Sequence, residues 1–259
     1  FLQQVAGVPH ITFLPFRFQL LVLTRFFALF PEPHDRNLEL ISRWFWRTSV
    51  GAETLGISGS QRDLRYMAKL IAPGKGSSSV QRLIKAAKLT IKPESDFTNL
   101  LDLTTFRTDR ANSKVVLAAL WNKHPVDVRT NSAMTPDQLA DQLENDSTPQ
   151  AVTIKLAPDS AESAGFAANR LISFVDRQEF IGRASAETNL DSLLLDEKML
   201  SALQENRHED FLRMRSGVLR RYLNDFLDAR TAYGQEDRPP LEDFIFEDGD
   251  PDGDPGAPA

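Results

Sequence analysis

The sequence predicts a mainly α protein: an orthogonal multi-helix bundle with little or no sheet, followed by a disordered acidic tail. Three observations carry that expectation. Between Glu209 and Tyr233, the apolar residues Phe211, Leu212, Val218, Leu219, Tyr222, Leu223, Phe226 and Leu227 recur at helical spacing. Prolines at 31, 33, 73, 93 and 125 fall between shorter stretches with the same periodicity, where they stop helices rather than interrupt them. The composition, 41% hydrophobic and 25% charged over 259 residues, is that of an ordinary globular chain able to bury a core without covalent staples.

Taken in order, the first helix starts at Phe16 and stops before Pro31. Ile11 to Phe30 is apolar enough to raise the question of a membrane span. Pro15, Gln19 and two arginines argue against one, since each arginine costs about 2.5–3.5 kcal/mol near a span's centre. Arg17, Thr24 and Arg25 fall on one narrow arc of the helix, which reads as the wet edge of a buried element. Asp35 is placed to cap a second helix running to Arg47, and Ser60 a third with Leu64, Met67, Leu70 and Ile71 inward. Helices are further expected over Val80–Lys88, Phe97–Phe106, Ser113–Lys123, Pro136–Glu144, Gly165–Phe174, Asp191–Glu205 and Glu209–Tyr233. Ala151–Leu156 reads as an isolated strand. Gly217, inside the last helix, suggests a closely packed neighbour. The expected organisation is a helical subdomain over 1–125, a second over 126–237 and a tail over 238–259.

The formal net charge of −6 needs dividing along the chain. Beyond Pro239 stand seven Asp and Glu and no Lys or Arg; the rest carries 30 basic against 29 acidic groups, a net of +1. The tail is too polar to order itself and reads as solvated chain; its alternative role is an acidic decoy for a basic surface. Within the near-neutral body, Ser60 to Lys92 holds Arg62, Arg65, Lys69, Lys75, Arg82, Lys85, Lys88 and Lys92 against Asp63 alone. Charge concentrated in this way can track a phosphate backbone, and Arg62, Arg65, Arg82, Lys85 and Lys88 are the candidate nucleic-acid contacts. The competing reading is a solvated helical face. Tyr66 is the segment's only aromatic, so base stacking is not expected to contribute much.

Candidate catalytic groups are not evident. Zero cysteines exclude disulfides, thiolate zinc sites and cysteine catalysis. His10, His34, His124 and His208 are too scattered for a metal motif, so no metal ligands are expected. Gly74-Lys75-Gly76-Ser77 lacks the first glycine of a phosphate loop, Lys69 standing in its place, and reads as an interhelical loop. Arg213, Arg215, Arg220, Arg221 and Arg230 on the last helix are interspersed with acids and read as surface ion pairs. Of Trp44, Phe45 and Trp46, helical spacing turns two of the three inward.

Leu14-Pro15-Phe16 before an apolar helix ending Arg25-Phe26-Phe27, then Arg43-Trp44-Phe45-Trp46-Arg47-Thr48-Ser49, resemble the helical region of the GmrSD-type proteins, long catalogued as domain of unknown function 262. In the family's order follow Asn112-Ser113-Lys114, Ala168-Asn169-Arg170-Leu171, Ser192-Leu193-Leu194, Phe211-Leu212 to Arg215, and Arg238-Pro239-Pro240-Leu241, so the resemblance covers most of 1–245. It implies a cytoplasmic phage-defence or restriction protein. Members begin with a ParB-like domain whose Asp-Gly-Gln-Gln-Arg motif is associated with nucleotide binding and hydrolysis. That motif does not occur in this sequence, and the chain, starting at Phe1, is expected to be the C-terminal helical portion of a longer protein. A nucleotide would then belong to the full-length protein and no cofactor to this chain. Some relatives add a His-Asn-type nuclease. Asn169 resembles one Asn of it, but no His stands between Val126 and Asn169, and Ser192-Leu193 replaces a Ser-His pair, so no catalytic residue carries over. Two roles are therefore expected. In one the chain supports an upstream nucleotide-hydrolysing domain and contacts DNA phosphates. In the other it is a non-catalytic helical assembly module, docking on that domain, on a partner or on a second copy.

Overall fold

Helix α2 (Asp35–Gly51) has no outward face beyond its first turns, because every residue from Leu40 to Gly51 is buried. The computed structural model of the chain describes residues 1–51, 56, 60–87 and 96–240, and in it α2 is the axis of a helical assembly. A single π-type turn (Leu2–Ala6), α4 (Gly76–Ala86), α5 (Ala111–Trp121) and α9 (His208–Thr231) surround it, while α1 (Arg17–Leu29) packs on α3 (Gln61–Lys69). Trp44, Phe45 and Trp46 are all buried, not two of the three, because neighbours enclose α2 on every side. The amide oxygen and nitrogen of Gln19 show how polar groups survive in this core: Nε2 donates to Phe45 O, Thr48 Oγ1 and Ser49 Oγ, and Oε1 accepts from Phe16 N–H.

Local signals place most helix starts. Ser60 caps α3 in a capping box with Asp63, and Thr135 does the same with Gln138 for α6 (Pro136–Gln142), where proline takes the first helical position. At α2 the cap is one residue earlier than expected: the His34 ring accepts from Arg36 N–H, and Asp35 is already helical. The helix also continues past Arg47 to Gly51, and α4 begins at Gly76 rather than Val80. Gly7 closes the N-terminal turn at φ 73°, and a Cβ there would lie 2.3 Å from Asn122 Oδ1, so only glycine fits.

The second half departs more from its expected helices. Residues 97–106 form a 3₁₀ turn (Phe97–Leu100) followed by irregular chain. The expected helix over Gly165–Phe174 is a short turn and then β4 (Arg170–Ile172), which pairs antiparallel with β3 (Thr153–Lys155), so the expected strand is not isolated. Arg170, Leu171 and Ile172 are all buried, and a ladder supplies backbone partners that the turn sequence would not. A smaller ladder joins β1 (Val126–Asp127) to β2 (Ser132–Ala133). The expected helix over Asp191–Glu205 breaks at Leu194, which adopts a left-handed conformation before Asp196 caps α8 (Glu197–Gln204). That break buries Leu193, Leu194 and Leu195 together, which one continuous helix face cannot do. A further helix, α7 (Arg177–Arg183), is capped by Asp176, with Glu179 in its first turn.

Two apolar cores result. The larger gathers the N-terminal turns, α1 to α5 and the C-terminal half of α9. The smaller collects Leu156, Leu171, Phe180, Leu193, Met199, Leu203 and the start of α9 at Phe211 and Leu212. Helix α9 thus belongs to both. Its Arg215, wholly buried, donates Nη1 to Ala168 O (2.5 Å) and Arg170 O (2.7 Å), and Nη2 to Leu193 O. Burial pushes its pKa down to about 9, which still leaves the guanidinium charged at neutral pH. The chain after α9 is not loose from Arg238 as expected. Arg36 holds the carbonyls of Glu236 and Arg238, and Gln81 holds that of Asp237. The acidic stretch from residue 241 onward, like Lys88, Lys92 and most of the Gly51–Gly59 loop, lies outside the described residues.

Gly217 does not make the expected close approach: nothing lies within 4 Å of where its Cβ would sit. Gly217→Ala is therefore expected to stabilise the protein by about 0.5–1 kcal/mol, read as a higher urea midpoint. Asp237→Ala leaves buried Arg47 without a carboxylate, and Arg43 with Glu39 alone, and is expected to lower stability by about 3 kcal/mol. Asp228→Ala, on the exposed side of α9, serves as the control and should change it by less than about 0.5 kcal/mol.

Candidate nucleic-acid interface

The Ser60–Asp63 capping box fixes where α3 begins, and this sets which residues face outward. Met67 is buried and Leu64 half-buried against α1, which puts Arg62, Arg65, Tyr66 and Lys69 on the opposite side at spacings of three, four and seven. All four are exposed, Tyr66 to 55%. Among the described residues, no carboxylate pairs with Arg62, Arg65 or Lys69. The stripe runs about 10 Å along the helix axis, the length of roughly three phosphates on one strand of a duplex.

The carbonyl end of α3 gathers more positive charge. Arg82 donates Nε to Leu70 O (2.8 Å) and Nη2 to Ser79 Oγ (3.2 Å). Arg25 donates Nη2 to Ile71 O (3.3 Å). Cations are favoured where helix carbonyls are left without intrahelical partners, so both guanidinium groups have a structural reason to be there. The five candidates thus divide. Arg62 and Arg65 share the open stripe with Lys69, which was not among the five. Lys85 is exposed on the neighbouring α4. Arg82 is half-buried and ties α4 to the end of α3, and Lys88 lies outside the described residues. Arg25 joins the set through the fold: in the sequence it is only part of the wet edge of α1. Of the glycine-lysine stretch, Pro73, Gly74 and Lys75 are exposed, while Ser77 in the first turn of α4 accepts from Asn37 Nδ2 of α2.

Most other arginines are engaged elsewhere. Arg43 and Arg47 bind Asp237, and Arg230 donates to Val5 O and Asn122 Oδ1. Arg213 pairs with Asp210 along its helix, as expected, but Arg220 reaches Asp96 and Thr98 on another element, and Arg215 is interior. Asn169, the residue that resembles a nuclease asparagine, is wholly buried. Its Oδ1 accepts from Ala157 N–H, and its Nδ2 donates to the carbonyls of Ala157 and Ala164. Among the described residues, no cluster of three or more His, Cys, Asp or Glu could hold a metal ion, and no helix is long and apolar enough to cross a membrane. Compared with family models, with curated proteins and with solved structures, the chain matches none.

The different surroundings of Arg82 and Arg62 give a measurable contrast. Arg82→Met removes the hydrogen bond that joins α4 to the end of α3 and a second one to Ser79 within α4, and is expected to cost about 1–2 kcal/mol in denaturant unfolding. Arg62→Met, on the open face, should stay within about 0.5 kcal/mol of the parent protein.

Proposed function

We propose that this chain is the helical portion of a GmrSD-like phage-defence or restriction protein, and that it contacts nucleic-acid phosphates through the open face of α3. The reading of α3 is carried by one observation: Arg62, Arg65 and Lys69 stand in line, exposed and without a carboxylate partner among the described residues, while most other arginines are engaged by the fold. Lys85, exposed on α4, and Lys88 are the further candidate contacts. The defence context rests on the ordered resemblance alone. In it, nucleotide hydrolysis belongs to a ParB-like domain and this chain supports it. The contact is electrostatic and independent of sequence, since side chains that bind phosphate oxygens position a protein without reading bases.

A specific observation also favours the assembly reading. Phe1, Leu2, Val8, Ile11, Leu20, Leu23 and Phe27 line an apolar groove, and Ile11 and Leu21 are more than half exposed. Concentration-dependent self-association that is unaffected by salt would favour that role for the groove.

Fluorescence anisotropy with a labelled DNA duplex tests the phosphate contact. Affinity is expected to fall with salt, with a log–log slope of about −3 for three contacted phosphates. Replacing Arg62, Arg65 and Lys69 with Gln should weaken binding at least tenfold at low salt and take most of that slope away. Equal affinity and slope in the parent and the triple variant would remove α3 as the interface.

A further inference from the structure

Arg170 presents a problem that the fold does not solve. It is 7% exposed, yet no carboxylate lies within ion-pair distance of it among the described residues. Its Nη1 donates to Ala164 O (3.0 Å), and its guanidinium carbon lies 5.2 Å from the centre of the Phe106 ring. Its Nε and Nη2 donate to no protein acceptor among the described residues. These two N–H groups form one edge of the guanidinium fork, the edge suited to bidentate binding of an oxyanion.

The neighbouring strand sharpens the problem. Lys155 on β3 is the direct cross-strand partner of Arg170 on β4. Like charges placed opposite one another destabilise a ladder. Lys155 has a partner in Asp159, but that carboxylate is 76% exposed and easily exchanged for a better-placed anion. Arg107 and Asp109 pair with each other at the rim, both more than half exposed, and so add no net charge. Asp159 acts on Arg170 only at longer range, and burial holds the Arg170 pKa below the ordinary arginine value.

Arg170, Lys155 and Phe106 line a cavity of about 480 Å³, together with Thr148, Gln150 and Thr153. Thr108 Oγ1 donates to the Gln150 amide oxygen, which leaves the amide nitrogen of Gln150 as a donor. We propose that this cavity binds a phosphomonoester, with the phosphoryl oxygens bidentate on Nε and Nη2 of Arg170 and further held by Lys155, the Thr148 hydroxyl and the Gln150 amide. Two cations match a phosphomonoester's charge of about −1.5 to −2, where a carboxylate would satisfy only one. The volume lies within the range of small-ligand sites, about 300–1,000 Å³, and leaves room for the group esterified to the phosphate. That group is either a small molecule or the 5′ end of a nucleic-acid strand. The proposal stands apart from the α3 reading, because it involves neither the same residues nor duplex backbone.

Titration calorimetry with inorganic phosphate at constant ionic strength tests it on the whole chain. Binding is expected with a Kd of about 1 mM or tighter, and acetate should bind at least tenfold more weakly. Lys155→Gln, at a half-exposed position, should weaken phosphate binding about tenfold without unfolding the protein. Arg170→Gln should abolish it; should that variant not fold, Lys155→Gln and Thr148→Val decide. Equal phosphate affinity in the parent and in Lys155→Gln, no binding at 20 times the expected Kd, or equal binding of acetate would each overturn the proposal. The source follows from two further ligands. Preference for a 5′-phosphorylated over a 5′-hydroxyl oligonucleotide, with affinity above that of a mononucleotide, assigns a strand end. Affinity already complete with the mononucleotide assigns a small molecule. Loss of duplex binding in the α3 variant with phosphate binding intact, or the reverse, separates this site from the α3 face.

Discussion

The fold depends on Arg47. This guanidinium sits in the middle of the wholly buried stretch of α2, only 2% exposed, and each of its nitrogens has an acceptor. Nε donates to Thr231 O, Nη2 to Ala232 O, and Nη1 and Nη2 to the Asp237 carboxylate, with the Tyr233 ring 4.7 Å from its carbon. A charge this deep would be prohibitive alone, so the C-terminal end of α9 and the strap behind it must be in place for α2 to be buried. Arg43, one turn earlier, reaches the same Asp237 and also Glu39 and Gln235. The first helices and the last are thereby closed on each other by residues about 190 positions apart.

Arg215 performs the corresponding task at the other end of α9, by a different route. It has carbonyl oxygens rather than a carboxylate: those of Ala168 and Arg170 at the start of β4, and that of Leu193 in the turn before α8. These carbonyls belong to the two places where the chain abandons its local helical pattern. A buried cation that needs acceptors and a backbone that needs donors settle the same conformation. Helix α9 can then serve both cores, carrying Phe211 and Leu212 into one and Leu219, Leu223 and Leu227 into the other.

The functional reading follows from which cations the fold has already engaged. Those that face buried carbonyls or Asp237 are structural, however basic their stretch of sequence looks. Among the described residues the α3 stripe and the Arg170 fork meet no carboxylate, and they differ in kind. The stripe is open and screened, suited to a polyanion met along its length. At the Arg170 fork a largely buried guanidinium faces a cavity, where one well-placed oxyanion interacts more strongly and more selectively than at the open surface.

The sequence by itself determined the helical class and most helix positions in the first half. Helical spacing of apolar residues and caps such as Ser60 act within a few residues, so they are legible without knowing the neighbours. The outward stripe of Arg62 and Arg65 was legible for the same reason. The D-x-x-E pattern of Asp176 and Glu179 was equally local, though α7 was not among the expected helices. Only the tertiary structure decided that Arg170–Ile172 is a strand, that the chain breaks at Leu194, that Arg82 braces two helices while Arg62 meets no carboxylate among the described residues, and that Arg170 faces a cavity. Each of those outcomes depends on acceptors or strand partners from distant parts of the chain. A guanidinium carries the same charge wherever it stands in a sequence, and only the groups that the fold brings to it determine whether it is a brace or a binding site.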